Sequence, residues 1–226
     1  MKTVNVEKWI LIHAILLIFA CSITVLVNSI IPLIIVSLPS FLWFIYLGKK
    51  EWIGFQPIAG YANWVTFLRL TLLLTILCLQ ADLSNVMLFL FLAVTIALDG
   101  LDGWLARRFN QVSLWGGLFD KEVDSFLVAS IAILLYTRFQ FPIAILCIGL
   151  LHYWYELLLF LLVWQEIKTP PNPIGKYVAA SLFISLLLAV ILPFNWSIYL
   201  VSIASFFTLF SFIISLFYKY RASREG

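Results

Sequence analysis

Long runs of apolar residues, separated by short polar segments, dominate the hydrophobic pattern of this chain. A helix needs about 20 mostly apolar residues to cross the hydrocarbon core of a bilayer. The candidate runs lie near residues 10–27, 30–47, 62–80, 84–104, 118–137, 141–164, 175–192 and 196–218. The pattern therefore predicts an all-α integral membrane protein with about eight spans. The first run stays apolar through Val27, so we interpret it as a retained helix rather than a signal peptide.

The composition agrees with a membrane setting. Hydrophobic residues make up 64% of the chain and charged residues only 11%, whereas about a quarter of a soluble domain is charged. So few charges cannot cover a water-facing surface, and the lipid bilayer is the expected surrounding. The net charge is only +3 and forms no dense basic stripe, so we expect no nucleic-acid partner.

The placement of lysine and arginine predicts the orientation. With eight spans, twelve of the 14 basic residues fall on the side of the two termini, Arg138 falls on the other side, and Arg69 lies within a span. The positive-inside rule then places both termini in the cytoplasm. The small size and short loops favour a bacterial inner membrane.

The segment from Gly48 to Gly60 divides the chain into two parts. The six runs after it carry most of the polar residues. We therefore expect a two-helix N-terminal membrane extension over residues 1–50 and a six-helix core over residues 51–226.

Acidic residues form the strongest local signal. Asp99 and Asp102 are three residues apart at the end of the fourth run, and Asp120 and Asp124 are four apart at the start of the fifth. These spacings put each pair on one helix face, so four carboxylates can converge at the cytoplasmic edge. Any one of them alone could simply favour a helix dipole, but the group as a whole predicts a divalent-metal site. Glu122 lies off this face, and we expect it to be a solvated charge.

Glycines and an arginine accompany the carboxylates. Gly100, Gly103, Gly116 and Gly117 interrupt a stretch that must otherwise be helical, and glycine permits close approach of a ligand to the backbone. Arg107 lies on the same stretch and can form bidentate hydrogen bonds with a diphosphate.

The stretch from Asp99 to Asp124 resembles the signature of the CDP-alcohol phosphotransferase family, which is D-x2-D-G-x2-A-R followed after seven or eight residues by G-x3-D-x3-D. The fixed positions all match, at Asp99, Asp102, Gly103, Ala106, Arg107, Gly116, Asp120 and Asp124. The stretch from Asn63 to Arg69 is similar to the family's N-x2-T-x2-R. Taken alone, this shorter motif is equally compatible with a helix cap at Asn63 and a snorkelling Arg69.

The resemblance implies a six-helix membrane bundle, usually a homodimer, that moves a phospho-alcohol group from a CDP-alcohol to a hydroxyl acceptor and releases CMP. It implies that Asp99, Asp102, Asp120 and Asp124 hold two Mg²⁺ or Mn²⁺ ions and that Asp124 is also the general base. It implies that CDP is bound by Asn63, Thr66, Gly103, Ala106, Arg107 and Gly116.

The substrate is less well defined by the sequence. Lys176, after Gly175, resembles the G-K element of bacterial phosphatidylglycerophosphate synthases, which makes CDP-diacylglycerol and glycerol 3-phosphate the leading donor and acceptor. His152 stands about where those enzymes usually carry an arginine. It could bind an anionic acceptor together with Lys176, or it could pair with Glu156 and serve structure or an uncharged or cationic alcohol.

Three other functions stay open. The enzyme could transfer a soluble alcohol phosphate from CDP-choline or CDP-ethanolamine to a lipid. The chain could be an inactive family member that serves as a scaffold. More remotely, it could be an ion-coupled transporter, which predicts carboxylates near mid-membrane on separated helices.

Overall fold

The computed structural model describes residues 3–55, 57–164 and 174–225, and within these ranges the chain forms helices and no strands. In chain order the helices are α1 (Thr3–Val27), α2 (Ile31–Trp52), α3 (Tyr61–Leu79), α4 (Asn85–Ala97), α5 (Asp99–Arg108), α6 (Leu114–Phe139), α7 (Ile145–Gly149), α8 (Leu151–Leu161), α9 (Gly175–Leu188) and α10 (Phe194–Glu225). The prediction of an all-α membrane fold is confirmed.

Five helical segments of the described chain are long and apolar enough to cross a membrane: Lys8–Val27, Ile31–Lys49, Tyr61–Leu79, Asn85–Arg108 and Phe194–Arg224. Helices α4 and α5 together form the fourth of these segments. The other three predicted runs are also helical but differ from simple spans. Helix α6 carries charged residues near its start, α7 and α8 are separate helices that meet at Leu150, and α9 has only 14 residues.

Local signals fix the ends of the helices that carry the polar residues. The Ser84 hydroxyl accepts a hydrogen bond from the Met87 amide at the start of α4, and the Ser113 hydroxyl accepts one from the Gly116 amide at the start of α6. Both are N-cap interactions that satisfy otherwise unpaired helix donors. Helix α6 ends where Gln140 adopts a left-handed conformation with φ of 57°.

Helix α6 lies at the centre of the bundle. It packs against α1, α2, α3, α7 and α9, so apolar side chains from Phe119 to Leu135 are buried around most of its circumference. A helix that is enclosed on nearly every side is expected to be apolar all round, and the second half of α6 is mostly apolar. In its first half, Glu122 is buried, and Asp120 and Asp124 contact Arg69 of α3.

The hairpin formed by α1 and α2 packs onto the rest of the bundle through aromatic side chains. Phe44 of α2 stacks with Trp115 and Phe119 at ring-centroid distances of 5.0 and 5.8 Å, and Phe41 lies 5.3 Å from Phe126. Helix α1 also runs along α8. The hairpin thus contacts both α6 and α8.

Candidate active site

The guanidinium of Arg69 lies at the centre of the acidic cluster. Its Nη1 atom is 3.0 Å from an oxygen of Asp99, 3.0 Å from one of Asp102 and 2.7 Å from one of Asp120, while Nη2 contacts Asp124. The four aspartates thus converge as their spacing suggested. Arg69 is fully buried, so the alternative of a side chain that snorkels to the interface is wrong.

Helix α3 aims its polar side chains at the cluster. Positions 63, 66 and 69 recur every three residues and share one helix face, which is the buried face of α3. Thr66 donates a hydrogen bond of 3.2 Å to Asp102, and the Asn63 amide donates one of 2.7 Å to the Ala59 carbonyl. Gly60, not Asn63, is the N-cap of α3, so the interpretation of Asn63 as a helix cap is also wrong.

The four carboxylates differ in access. The side chain of Asp102 is only 4% exposed, and both of its oxygens accept hydrogen bonds, one of them from the Gly103 amide at 2.6 Å. The side chains of Asp99, Asp120 and Asp124 are 41%, 36% and 29% exposed. The cluster therefore has one buried anchor and three carboxylates that an incoming ligand can reach.

The donor set fits a divalent cation. Asp99, Asp120 and Asp124 each offer one carboxylate oxygen, and these three atoms lie within 4.8 Å of one another. Four aspartates against one arginine leave a formal surplus of three negative charges. Hard cations such as Mg²⁺ and Mn²⁺ prefer oxygen ligands of this kind. Asp102, also predicted as a ligand, contacts the same guanidinium but has no oxygen without a hydrogen bond.

A first cavity of about 190 Å³ opens beside the cluster between α3, α5 and the start of α6. It is lined by all six residues predicted to bind CDP, namely Asn63, Thr66, Gly103, Ala106, Arg107 and Gly116. Asp102 and Asp120 contribute to the same wall. A Cβ atom on Gly116 would lie 2.7 Å from Oδ1 of Asn63, so this close approach of two helices requires glycine.

A second cavity of about 220 Å³ lies on the other side of α6, bounded also by α8, α9 and α10. Asp124 and His152 both line it, together with Lys121 and a mostly apolar set of side chains. Gly175 lines it as well, whereas the next residue, Lys176, is exposed, does not line it, and holds its amine 4.8 Å from the centroid of the Tyr177 ring. The structure thus brings His152, but not Lys176, to the cavity that Asp124 borders.

One expectation and one of the open alternatives about charged residues near this cavity are wrong. Glu122 is 1% exposed rather than solvated, and it lies 3.3 Å from Nε2 of His152. Glu156 does not pair with His152 and instead accepts a hydrogen bond of 2.6 Å from Lys121. The polar side chains of α8, His152 and Glu156, thus pair with Glu122 and Lys121 of α6 rather than with each other.

Some lining residues were missed by sequence reasoning. Gln111 accepts a hydrogen bond of 2.8 Å from the Tyr61 amide and lines the first cavity with Ser113. Gly60, with φ of 79°, makes room for this contact, since its Cβ would lie 2.9 Å from the Gln111 oxygen. The polar Gln-x-Ser sequence after α5 was the only signal, and it does not reveal a partner fifty residues away.

The family model described as CDP-alcohol phosphatidyltransferase matches residues 59–216, more than two thirds of the 226-residue chain. The chain belongs to the CDP-alcohol phosphatidyltransferase family. Family membership identifies it as a membrane transferase that acts on a CDP-alcohol in lipid biosynthesis. The match begins just before α3, so α1 and α2 lie outside it. Comparisons with curated proteins and with solved structures gave no significant match.

Proposed function

We propose that this CDP-alcohol phosphatidyltransferase moves the phosphatidyl group of CDP-diacylglycerol to a hydroxyl of glycerol 3-phosphate and releases CMP. The position of Asp124 carries the proposal. Asp124 belongs to the acidic cluster through its contact with Arg69, and it also lines the second cavity beside His152. Asp120 of the same cluster lines the first cavity, so Asp124 can accept a proton from a hydroxyl in the second cavity while the electrophile lies in the first.

The first cavity is the proposed donor site. Arg107 is suited to the diphosphate because a guanidinium forms two parallel hydrogen bonds with phosphate oxygens. Gly103 and Gly116 keep the cavity free of side chains next to the helix backbone. Asn63 and Thr66 line the wall contributed by α3, where Asn63 can hydrogen-bond the cytidine base or ribose.

The aspartates are proposed to hold Mg²⁺ or Mn²⁺, two ions per site, with Asp99, Asp120 and Asp124 as the accessible ligands and Asp102 as the buried one. Divalent cations bound there would neutralise the diphosphate and polarise its oxygens. Arg69 supplies a fixed positive charge that keeps the four carboxylates together.

The proposed chemistry is a single displacement. The acceptor oxygen forms a bond to the β-phosphorus, and the bond from that phosphorus to the bridging oxygen breaks. CMP leaves with the bridging oxygen and its electron pair, and Asp124 takes the proton of the acceptor hydroxyl. Most of the rate gain in phosphoryl transfer comes from position and charge rather than covalent help from the protein.

An anionic acceptor is supported by the polar groups of the second cavity. His152 and Lys121 line it and can each interact with a phosphate. Lys176 follows a residue of the cavity wall and remains a proposed additional contact. Bacterial phosphatidylglycerophosphate synthases are the proposed nearest relatives within the family.

One observation favours a second candidate. Apart from these polar groups, the second cavity is walled by side chains such as Val128, Leu182, Phe183 and Phe212. Such a wall also suits a lipid acceptor, with CDP-choline or CDP-ethanolamine as the soluble donor. The two candidates differ in which substrate carries the acyl chains.

Purified protein incubated with CDP-diacylglycerol, Mg²⁺ or Mn²⁺ and one acceptor at a time tests the proposal through CMP release. We expect CMP with glycerol 3-phosphate and none with inositol, serine or buffer alone. CMP with a different acceptor would overturn the proposed acceptor. CMP only from CDP-choline or CDP-ethanolamine with diacylglycerol would establish the second candidate instead.

The setting of the enzyme is part of the proposal. We propose residues 1–50 as an extension, residues 51–226 as the core, a homodimeric assembly, and both termini and the acidic cluster on the cytoplasmic side of a bacterial inner membrane. The distribution of lysine and arginine supports this orientation. The test is to fuse a reporter that is active only outside the cytoplasm to each terminus. Reporter activity from either fusion would contradict this orientation.

A further inference from the structure

The N-terminal hairpin buries a histidine that the proposed reaction does not use. His13 of α1 is fully buried, stacks on Trp9 with ring centroids 4.4 Å apart, and places Nδ1 2.7 Å from the Ser40 hydroxyl of α2. Its Nε2 atom has no hydrogen-bond partner within the described part of the chain. Burying a polar group without a hydrogen-bond partner is unfavourable, and ionisable residues inside a membrane bundle usually serve a function.

The ring of His13 faces α8. It lies edge-on to Tyr153, with centroids 5.8 Å apart, and Tyr153 in turn lies 5.4 Å from the ring of His152. Tyr153 is buried, and its hydroxyl also has no hydrogen-bond partner among the residues described. Since α1 runs along α8, the hairpin contacts the helix that carries His152.

Glu122 completes the arrangement from α6. It is buried next to His152, with 3.3 Å between Oε1 and Nε2. A buried carboxylate is stable only when hydrogen bonds or positive charges satisfy it. Glu122 thus contacts Nε2 of His152, and His152 also lines the second cavity.

We infer that the α1–α2 hairpin is a positioning element for the second cavity: His13 and Tyr153 pack behind the Glu122–His152 pair and fix the His152 ring on the cavity wall. His13, Tyr153 and Glu122 are positioning residues, since they act through His152. The inference rests on the proposed function only where it assigns the second cavity to the acceptor. It gives the hairpin, which lies outside the family match, a role in how the enzyme holds its acceptor.

Nuclear magnetic resonance of the two histidines tests the placement without any activity. The chain contains only two histidines, so histidine-labelled protein gives two sets of ring signals, and the His13→Phe variant leaves only that of His152. We expect the His152 signal to shift in His13→Phe and in Glu122→Gln. Thr24→Val is the matched control, because Thr24 is also buried in α1 but lies about 16 Å along the helix from position 13. It should leave the His152 signal unchanged.

Kinetics test the consequence in the full-length enzyme with CDP-diacylglycerol and glycerol 3-phosphate. We expect Glu122→Gln and His13→Phe to raise the acceptor KM, the former roughly tenfold, as for the loss of a charge-assisted hydrogen bond. The donor KM should stay unchanged. In a His152→Ala background, neither change should raise the acceptor KM further, because the residue through which they act is gone.

The outcomes separate the two proposals. A His152 signal that does not respond to His13→Phe or Glu122→Gln overturns the inference, as does an equal rise in donor and acceptor KM. If His13→Phe does not fold, Ser40→Ala removes only the hydroxyl that holds His13 and is judged by the same criteria. If the wild-type protein releases no CMP with glycerol 3-phosphate, the proposed acceptor fails while the resonance experiment still decides the positioning of His152.

Discussion

Replacing Arg69 with methionine removes a buried positive charge that contacts all four aspartates. Methionine is unbranched like arginine and fills part of the same space with apolar atoms, so the change acts mainly by removing the charge. We expect the variant to be strongly destabilised without divalent cations and to recover most of that stability when Mg²⁺ or Mn²⁺ is added.

The magnitude follows from the geometry of the cluster. The ligand oxygens of Asp99, Asp120 and Asp124 lie within 4.8 Å of one another, and two unit charges at that distance repel by roughly 3.5 kcal/mol at an effective dielectric constant of 20. Removing one partner from a buried ion pair costs roughly 3–5 kcal/mol. For a chain of this size, such a loss lowers Tm by roughly 10 °C.

Divalent cations should reverse the loss because they bind the folded cluster and not the unfolded chain. In the variant, the positive charge of the guanidinium no longer repels the cations, so the affinity of the cluster for Mg²⁺ or Mn²⁺ should rise. Thermal unfolding followed by tryptophan fluorescence measures this, since the chain has nine tryptophans. Each protein is melted once in EDTA and once in 10 mM Mg²⁺, a concentration chosen to be saturating.

Arg138→Met is the matched control. Arg138 lies at the opposite end of α6 and donates to the carbonyls of Gln80 and Leu83 and to the side chain of Asn85. Its loss should lower Tm by the same amount in EDTA and in Mg²⁺. If Arg69→Met also shows equal losses in both conditions, the reasoning that the cluster binds a divalent cation is refuted.

Two further predictions concern the cavities. Gly116→Ala should raise the donor KM by roughly tenfold or more because its Cβ would lie 2.7 Å from the side-chain amide oxygen of Asn63 in α3. Gly117→Ala should change the donor KM little, since no atom lies within 4 Å of the added Cβ. Equal effects of the two changes would argue against a donor site there. His152→Ala should raise the acceptor KM roughly tenfold and by more than Lys176→Ala does, and the reverse order in acceptor titrations would show that the second cavity is not the acceptor site.

Much of the fold was accessible from the sequence. Apolar runs located the helices because the bilayer demands long apolar segments. The division of the sixth run into α7 and α8 at Leu150 was not predicted, since no proline marks it and Gly149 alone does not require a break. The separation of α4 from α5 at Leu98 was not predicted either, although Asp99 and Gly100 follow it directly, because the run near 84–104 continues through this point.

The acidic cluster was predictable in part. Spacings of three and four residues fix which side chains share a helix face, and this brought Asp99, Asp102, Asp120 and Asp124 together. They do not fix which helix lies opposite, so the contact of Arg69 with all four aspartates could not be foreseen. Glu122 was misjudged for the same reason, because α6 is enclosed on nearly every side and the face away from the cluster is buried as well.

Acceptor-dependent CMP release by wild-type protein and by Asp124→Asn tests the central claim most directly. The assay uses CDP-diacylglycerol, glycerol 3-phosphate and Mg²⁺ or Mn²⁺, and thermal unfolding confirms that the variant is folded. We expect CMP from the wild type and a loss of roughly 10²–10⁴-fold in the variant, which lacks the proposed base. Equal CMP release by both proteins, or none by the wild type from any CDP-alcohol, would contradict the account.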